Sequence, residues 1–173
     1  YWLSAMSGAI FLYGDALLYG QSGSFRFRDL DQAISLSTHG GTLLLAGLGL
    51  VLVGLLFKVG AAPFHSWVPD VYSGAPTAIT AFMAVCTKIA AVGALTRVLY
   101  VALGAARWDW QLVVAGVAVL SMVFGAVMGL TQTDVKRMLA YSSVAHAGFI
   151  LVGVAGALTT VTGLGRGELG SIG

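Results

Sequence analysis

Long apolar stretches separated by short polar connections dominate the chain. An α-helix needs roughly 20 apolar residues to cross a bilayer, and five stretches reach or approach that length. They cover approximately residues 1–20, 41–68, 76–103, 110–131 and 139–162. The pattern predicts an all-α fold, a polytopic transmembrane helix bundle with about five spanning helices.

The connections between these stretches differ in character. Residues 21–40 are polar but carry Leu30, Ile34 and Leu36 at helical spacing, which predicts an amphipathic helix at the membrane interface. Residues 69–75, PDVYSGA, hold proline and glycine and predict a short turn.

The second apolar stretch contains an internal break. Lys58 is followed by Gly60 and Pro63, and proline removes a backbone donor and clashes with the preceding turn. Irregular backbone at membrane depth occurs where protein or a water-filled cavity surrounds it. We therefore predict a helix broken at Pro63, with Lys58 one turn before the break and able to reach freed carbonyls and water.

Lys88 is the second charge inside an apolar stretch. It lies about 18 Å along its helix at 1.5 Å per residue, close to the bilayer centre, where a lysine costs at least about 2.5 kcal/mol. Burial lowers the pKa of a lysine in general and a nearby carboxylate raises it, so Lys58 and Lys88 are candidate proton carriers. The alternative is a structural lysine that snorkels to the headgroups. Small or polar residues recur at helical spacing along one face of this helix, which predicts a packed or hydrated stripe: Thr77, Thr80, Ala84, Lys88 and Ala91.

Three further titratable residues are weaker candidates. His65 follows Lys58 by seven residues, on the same face if the helix resumes after Pro63, and serves either in proton relay or as an interfacial histidine. His146 opens the last stretch, where helix-start polarity is the favoured interpretation over transport. Asp70 either pairs with a lysine or caps a turn, with capping favoured.

The remaining polar and aromatic side chains have simpler interpretations. Trp67, Trp108 and Trp110 fit the aromatic belts at membrane interfaces. Lys136 and Arg137 are expected to face water or lipid phosphate. Arg97 is expected at an interface and Asp15 at the end of the first stretch, facing the bundle.

Composition supports a membrane protein. The chain of 173 residues is 58% hydrophobic and 9% charged, with a mean hydropathy of +0.90, whereas soluble domains carry about 25% charge. The 24 glycines fit close helix–helix packing in lipid. A net charge of +2 does not indicate nucleic acid, and one cysteine, Cys86, excludes a disulfide framework. Because the chain begins at Tyr1 without methionine, we expect it to be an internal portion of a longer protein.

Two long segments resemble a known family. The segments FKVGAAPFHSWVPDVYSGAPTAITAFMAVCTKIAA and TDVKRMLAYSSVAHAGFILVG are similar to the antiporter-like membrane subunits of respiratory complex I, NADH–quinone oxidoreductase, and within them to the subunit N group. The resemblance implies an inverted-repeat antiporter-like fold. Residues 1–105 would end the first repeat as helices six to eight, and residues 106–173 would begin the second as helices nine and ten.

The resemblance also implies roles for individual residues. Lys58 matches the lysine of the broken seventh helix, Lys88 the lysine of the eighth, and His65 the histidine of the PFHxW motif. Asp15 departs from the apolar residue that the family carries there.

The implied function is that of a proton-translocating subunit in the bacterial inner membrane. Other complex I membrane subunits and lipids would be its partners, with no nucleic acid. NADH, FMN, iron–sulfur clusters and quinone would belong to other subunits, and this chain would hold no cofactor, metal or redox site. Two alternatives stay open: a monovalent cation/proton antiporter subunit, and a structural membrane spacer whose lysines only anchor helices.

Overall fold

The structure is a computed structural model that describes residues 2–36, 42–103 and 107–169, and their side chains except at 36, 42, 107–109 and 157–169. Within these ranges the regular structure is entirely helical, which confirms the predicted all-α class. His39, which the sequence places in a loop, lies outside the described residues.

Seven helices follow one another within the described residues. They are α1 (Trp2–Ser22), α2 (Phe27–Leu36), α3 (Thr42–Val59), α4 (Trp67–Gly74), α5 (Thr77–Ala102), α6 (Arg107–Leu130) and α7 (Val135–Leu169). Helix α5 is continuous but contains two π-helical segments, Met83–Thr87 and Val98–Ala102.

In the part of the chain that the structure describes, three helices are long and apolar enough to cross a membrane. They contain Thr77–Ala102, Trp110–Leu130 and Val135–Gly156. The apolar part of α3, Leu43–Val59, is shorter, and α1 has the length but carries Asp15 among serines and tyrosines. Three of the five predicted spans therefore meet the requirement by length and composition, and the other two remain predictions.

Close helix pairs build the bundle, α1 against α3 and α6 against α7. The α6–α7 pair approaches so closely that a Cβ atom at Gly125 would lie 2.6 Å from the backbone nitrogen of Ala145. One at Gly148 would lie 2.7 Å from the carbonyl oxygen of Ala118. Small residues allow such approach where lipid supplies no hydrophobic driving force between helices.

Helix α2 is the predicted amphipathic helix. Leu30 is buried in the main apolar core and Ile34 packs against that core, at the end of α5. Its polar face carries Arg28 and Gln32, which are exposed.

The segment PDVYSGA is a helix and not the predicted turn. It forms most of α4, in which Pro69 is the third residue. The first N–H groups of a helix have no intrahelical acceptor, so proline fits the first turn without losing a hydrogen bond. The prediction mistook a helix start for a chain reversal.

Trp110 is a core residue and not part of an interfacial belt. It is 1% exposed, its indole N–H donates to the carbonyl of Leu103 at 3.0 Å, and its ring meets Tyr100 edge-on at 5.7 Å. A buried tryptophan needs such an acceptor, and the end of α5 supplies it. The side chain of Trp108 lies outside the described part.

Candidate functional site

The predicted break in the second apolar stretch is present. Helix α3 ends at Val59, Gly60 adopts φ +77°, and α4 begins at Trp67. The last helical residue thus lies four residues before Pro63, and it is followed by a glycine in the left-handed region that other residues avoid. A Cβ atom at Gly60 would also lie 2.8 Å from a methyl group of Val68.

The backbone carbonyls freed at the break have partners other than lysine. The Phe57 carbonyl accepts from the Gly60 N–H at 3.1 Å and from the Trp67 indole N–H at 2.9 Å. The Leu56 carbonyl accepts from the Ala61 N–H at 3.1 Å. Trp67 is therefore a structural donor at the break, and the expected contact of Lys58 with these carbonyls is not made.

A serine from another helix accepts a hydrogen bond from a backbone N–H at the break. The backbone N–H of Ala62 donates to Oγ of Ser121 at 2.9 Å. Ser121 is fully buried and donates in turn to the Val117 carbonyl of its own helix, α6. Sequence analysis missed Ser121, although a serine within a long apolar helix was a usable signal.

Lys58 lines a cavity of about 540 Å³. Polar lining comes from Ser4, Ser7 and Thr87. Among the described residues, the buried hydroxyl of Ser7 has no hydrogen-bond partner. A cavity with a charged amine and an unsatisfied hydroxyl suits ordered water.

Lys88 lies directly after the first π segment of α5. Its Nζ donates to the Ser143 carbonyl at 2.5 Å and to the Ser143 hydroxyl, both on α7. Short π segments occur frequently at functional sites. The half-buried ammonium therefore has two oxygen partners and faces a cavity of about 690 Å³.

The predicted polar stripe on α5 faces α7. Thr77, Thr80 and Ala84 line a further cavity of about 220 Å³, together with Ser143. Ala84 and Ser143 also line the Lys88 cavity, so the two spaces adjoin.

Helix α5 separates the two lysines. Thr87 and Ala91 line the Lys58 cavity, and Lys88 and Val92 line the other. The lysines thus lie beside opposite faces of one helix and line different cavities.

His65 lies in the break and not on a resumed helix. It is 9% exposed, Nδ1 has no partner among the described residues, and its ring packs edge-on against Phe124 at 5.0 Å. Because the helix resumes only at Trp67, the condition for a shared face with Lys58, a helix that includes His65, is not met. His65 lines neither lysine cavity.

His146 is well inside α7 and does not open it. The helix begins at Val135, after Asp134, whose carboxylate accepts from the Lys136 N–H at 3.0 Å, as an N-cap residue does. The favoured helix-start interpretation of His146 is therefore wrong. His146 lines the Lys88 cavity, and its Nδ1 lies 2.7 Å from the Ser142 carbonyl.

Two charged residues at the start of α7 contact α4 and the residue that follows it. Arg137 pairs with Asp70 at 2.8 Å, with side chains 44% and 72% exposed, and Lys136 Nζ donates to the Ala75 carbonyl at 3.2 Å. The two interpretations of Asp70, a turn cap or the partner of a lysine, are both wrong, because its carboxylate pairs with Arg137. The sequence predicts that Lys136 and Arg137 face water or lipid phosphate; Arg137 is exposed, and the two residues also contact α4 and the residue that follows it.

Within the described ranges, no group of three or more His, Cys, Asp or Glu side chains is placed to hold a metal ion. Asp15 is half-buried and lines a small cavity of about 60 Å³ beside α2. It contacts neither lysine cavity.

Comparison with known proteins agrees with this architecture. Subunit N of NADH-quinone oxidoreductase from Cutibacterium acnes is 59% identical over 170 residues, which are 98% of this chain and 32% of that protein. The corresponding subunit N from Nocardioides sp. is 56% identical over 170 residues, again 98% of this chain and 32% of that protein.

Solved structures show the same fold. A chain of respiratory complex I from Thermus thermophilus, solved with bound aureothin, superposes with a TM-score of 0.71 at 41% identity, covering 88% of this chain and 32% of that one. A chain of the Mrp complex from Dietzia sp. gives a TM-score of 0.80 at 27% identity, covering 88% of this chain and 28% of that one.

The chain spans about a third of the length of the curated relatives it matches. The model of the family described as NADH:quinone oxidoreductase/Mrp antiporter, transmembrane, matches residues 1–165. The resemblance to the antiporter-like subunits is thus confirmed, and the chain belongs to the NADH:quinone oxidoreductase/Mrp antiporter transmembrane family.

Proposed function

We propose that the chain is the part of a proton-translocating membrane subunit of NADH–quinone oxidoreductase that carries two of its proton-carrying lysines. The observation that supports this most strongly is Lys88. It is the twelfth of 26 residues in a membrane-length helix, faces a cavity of about 690 Å³ and is bound to oxygen atoms of one serine. The 59% identity to a protein named subunit N supports the same assignment.

The proposed step at Lys88 is loss and regain of one proton. The ammonium donates to the hydroxyl and carbonyl of Ser143, and water in the cavity takes the proton while the electron pair stays on Nζ. The neutral amine then accepts the next proton. A cavity large enough for water, with Ser142, Ser143 and His146 among its otherwise mostly apolar lining, and two fixed oxygen partners are what such a carrier needs.

Lys58 would supply that next proton. Because α5 lies between the two cavities, the transfer has to pass around this helix, beside Thr87 on the Lys58 face. The Ser7 hydroxyl in the Lys58 cavity has an open hydrogen-bonding position, which a transferring water can occupy. His65, with its unpartnered Nδ1, and His146, beside the Lys88 cavity, are the lesser candidates for relay.

The energy would come from redox chemistry elsewhere. We place NADH, FMN, iron–sulfur clusters and quinone in other subunits, and other complex I membrane subunits and lipids next to this one. The bacterial inner membrane is the corresponding location.

Lys88→Ala in the full-length protein tests the proposal. NADH-driven acidification and NADH oxidation are followed together in inverted membrane vesicles, with Lys136→Ala as the control that removes a lysine at the end of a helix. We expect Lys88→Ala to lose both activities and Lys136→Ala to keep them. Normal proton pumping per electron at normal turnover in Lys58→Ala and Lys88→Ala would reject the relay and favour the structural spacer.

A monovalent cation/proton antiporter subunit is the second candidate. The family description names the Mrp antiporter, and the Mrp complex chain superposes with a TM-score of 0.80. Sodium-dependent proton exchange by the full-length protein in cells lacking an NADH dehydrogenase would favour this candidate over the first.

A further inference from the structure

A cavity of about 570 Å³ opens where the first turn of α2 meets the end of α5. Its charged lining consists of Arg26, Arg28 and Arg97 with one carboxylate, Asp29. The three arginines are exposed, and within the described ranges none of them forms an ion pair. Three guanidinium groups against one carboxylate leave a net positive site.

We infer that this cavity binds the phosphate of an anionic membrane phospholipid. Guanidinium groups match phosphate oxygens in pairs, and basic pockets beside transmembrane helices bind anionic headgroups. At the start of α2 the N–H of Asp29 already donates to the Arg26 carbonyl at 3.1 Å. The N–H groups of Phe27 and Arg28 are the ones that a helix start leaves to favour a phosphate. The inference is independent of proton transport.

The apolar part of the cavity favours a lipid over free phosphate. Phe25 is 73% exposed, Val101 47% and Phe27 37%, and all three line the cavity beside the arginines. Val101 is the penultimate residue of the membrane-length helix α5, so the cavity lies at the end of a span. Headgroups lie at that depth, and acyl chains would cover the exposed apolar side chains.

Packing fixes the geometry of this site. Leu30 and Ile34 hold α2 on the core, against the π segment that ends α5. The stacked rings of Tyr19 and Phe25, 4.5 Å apart, hold the preceding connection. The arginines therefore converge because two elements are docked.

Wild-type protein gives the first test. The full-length protein is placed in phosphatidylcholine bilayers, with or without phosphatidylglycerol, and its arginines are labelled with phenylglyoxal and mapped by mass spectrometry. We expect phosphatidylglycerol to protect Arg26, Arg28 and Arg97 severalfold, and to leave Arg137 unchanged because its guanidinium is paired with Asp70.

Three results would overturn the inference. Equal labelling in both bilayers would mean that no anionic headgroup binds. Protection by inorganic phosphate in phosphatidylcholine bilayers, at the same phosphate concentration, would assign the site to free phosphate. Arginines that fail to react without phosphatidylglycerol would be covered by another protein segment.

Variants give the second test, with phosphatidylglycerol retention counted by native mass spectrometry. Each cation near a membrane surface changes anionic-lipid affinity about fivefold, so Arg28→Gln with Arg97→Gln should lower retention roughly 25-fold. Asp29→Asn should raise it, and Arg137→Gln, which removes one positive charge at a distant position, should leave it unchanged. Unaltered retention in the double variant would refute the site.

Discussion

The indole N–H of Trp67 donates to the carbonyl of Phe57 at 2.9 Å, and the two rings stack at 5.7 Å. This contact joins the end of α3 to the start of α4 across the break. The Phe57 carbonyl thus has the indole N–H as a partner, and Lys58 lines the cavity of about 540 Å³ beside it.

Trp67→Phe should destabilise the protein by about 1 kcal/mol, the usual net contribution of one hydrogen bond. Phenylalanine keeps the ring stack and loses only the donor. Thermal unfolding of the detergent-solubilised protein measures the change, with Trp67→Leu as the larger perturbation. Equal stability of Trp67→Phe and wild type would show that the Gly60 N–H alone satisfies the Phe57 carbonyl.

Gly60→Ala should cost more than Trp67→Phe and should impair proton translocation. A φ of +77° costs a residue with a Cβ about 1–2 kcal/mol, and the new methyl group would meet Val68 at 2.8 Å. Gly49→Ala on α3 is the matched control, because nothing lies within 4 Å of its Cβ position. Comparable melting temperatures of the two variants would contradict the structure of the break.

Ser143→Ala should slow NADH-driven proton translocation roughly tenfold, since a hydrogen bond to a charged group contributes about 1.5 kcal/mol. The variant keeps the Ser143 carbonyl as a partner of Lys88, so the loss should be smaller than in Lys88→Ala. Ser142→Ala is the neighbouring control, because the Ser142 hydroxyl faces His146. Identical pumping rates in both serine variants would mean that the hydroxyl does not position Lys88.

Asp70→Asn and Arg137→Gln should each change stability by less than about 1 kcal/mol, because exposed ion pairs contribute little. Their side chains are 72% and 44% exposed. A double-mutant cycle by thermal unfolding should give a coupling of about 0.5 kcal/mol that disappears at high salt. A coupling of several kcal/mol would mean that the pair is buried in the assembled protein.

The candidate proton-carrying lysines and the presence of a helix break could be predicted from the sequence, because these residues interrupt the apolar pattern. Lys58 and Lys88 are charges where charge is costly, and Gly60 and Pro63 cannot continue a helix. A break in this stretch followed from the backbone chemistry of Gly60 and Pro63, although α3 ends at Val59, before the predicted position at Pro63.

The partners of these residues could not be predicted in the same way. The serine that accepts from Ala62 lies 59 residues away, and the serine that holds Lys88 lies 55 residues away. The π segment Met83–Thr87 has no marker in its own composition, since MAVCT suits an ordinary helix equally well. Such features depend on which helices pack together, and the local pattern carries no information about that.

The hydrogen bonds between distant segments also limit how the chain can be divided. Cleavage between residues 103 and 107, near the predicted repeat boundary, would separate Ala62 from Ser121, Lys88 from Ser143, and the Tyr100 hydroxyl from the Val154 carbonyl. Each piece would then hold polar groups that have lost their partners in apolar surroundings, where neither half can replace them. A split version of this protein should therefore accumulate only when both halves are synthesised together in the same cell.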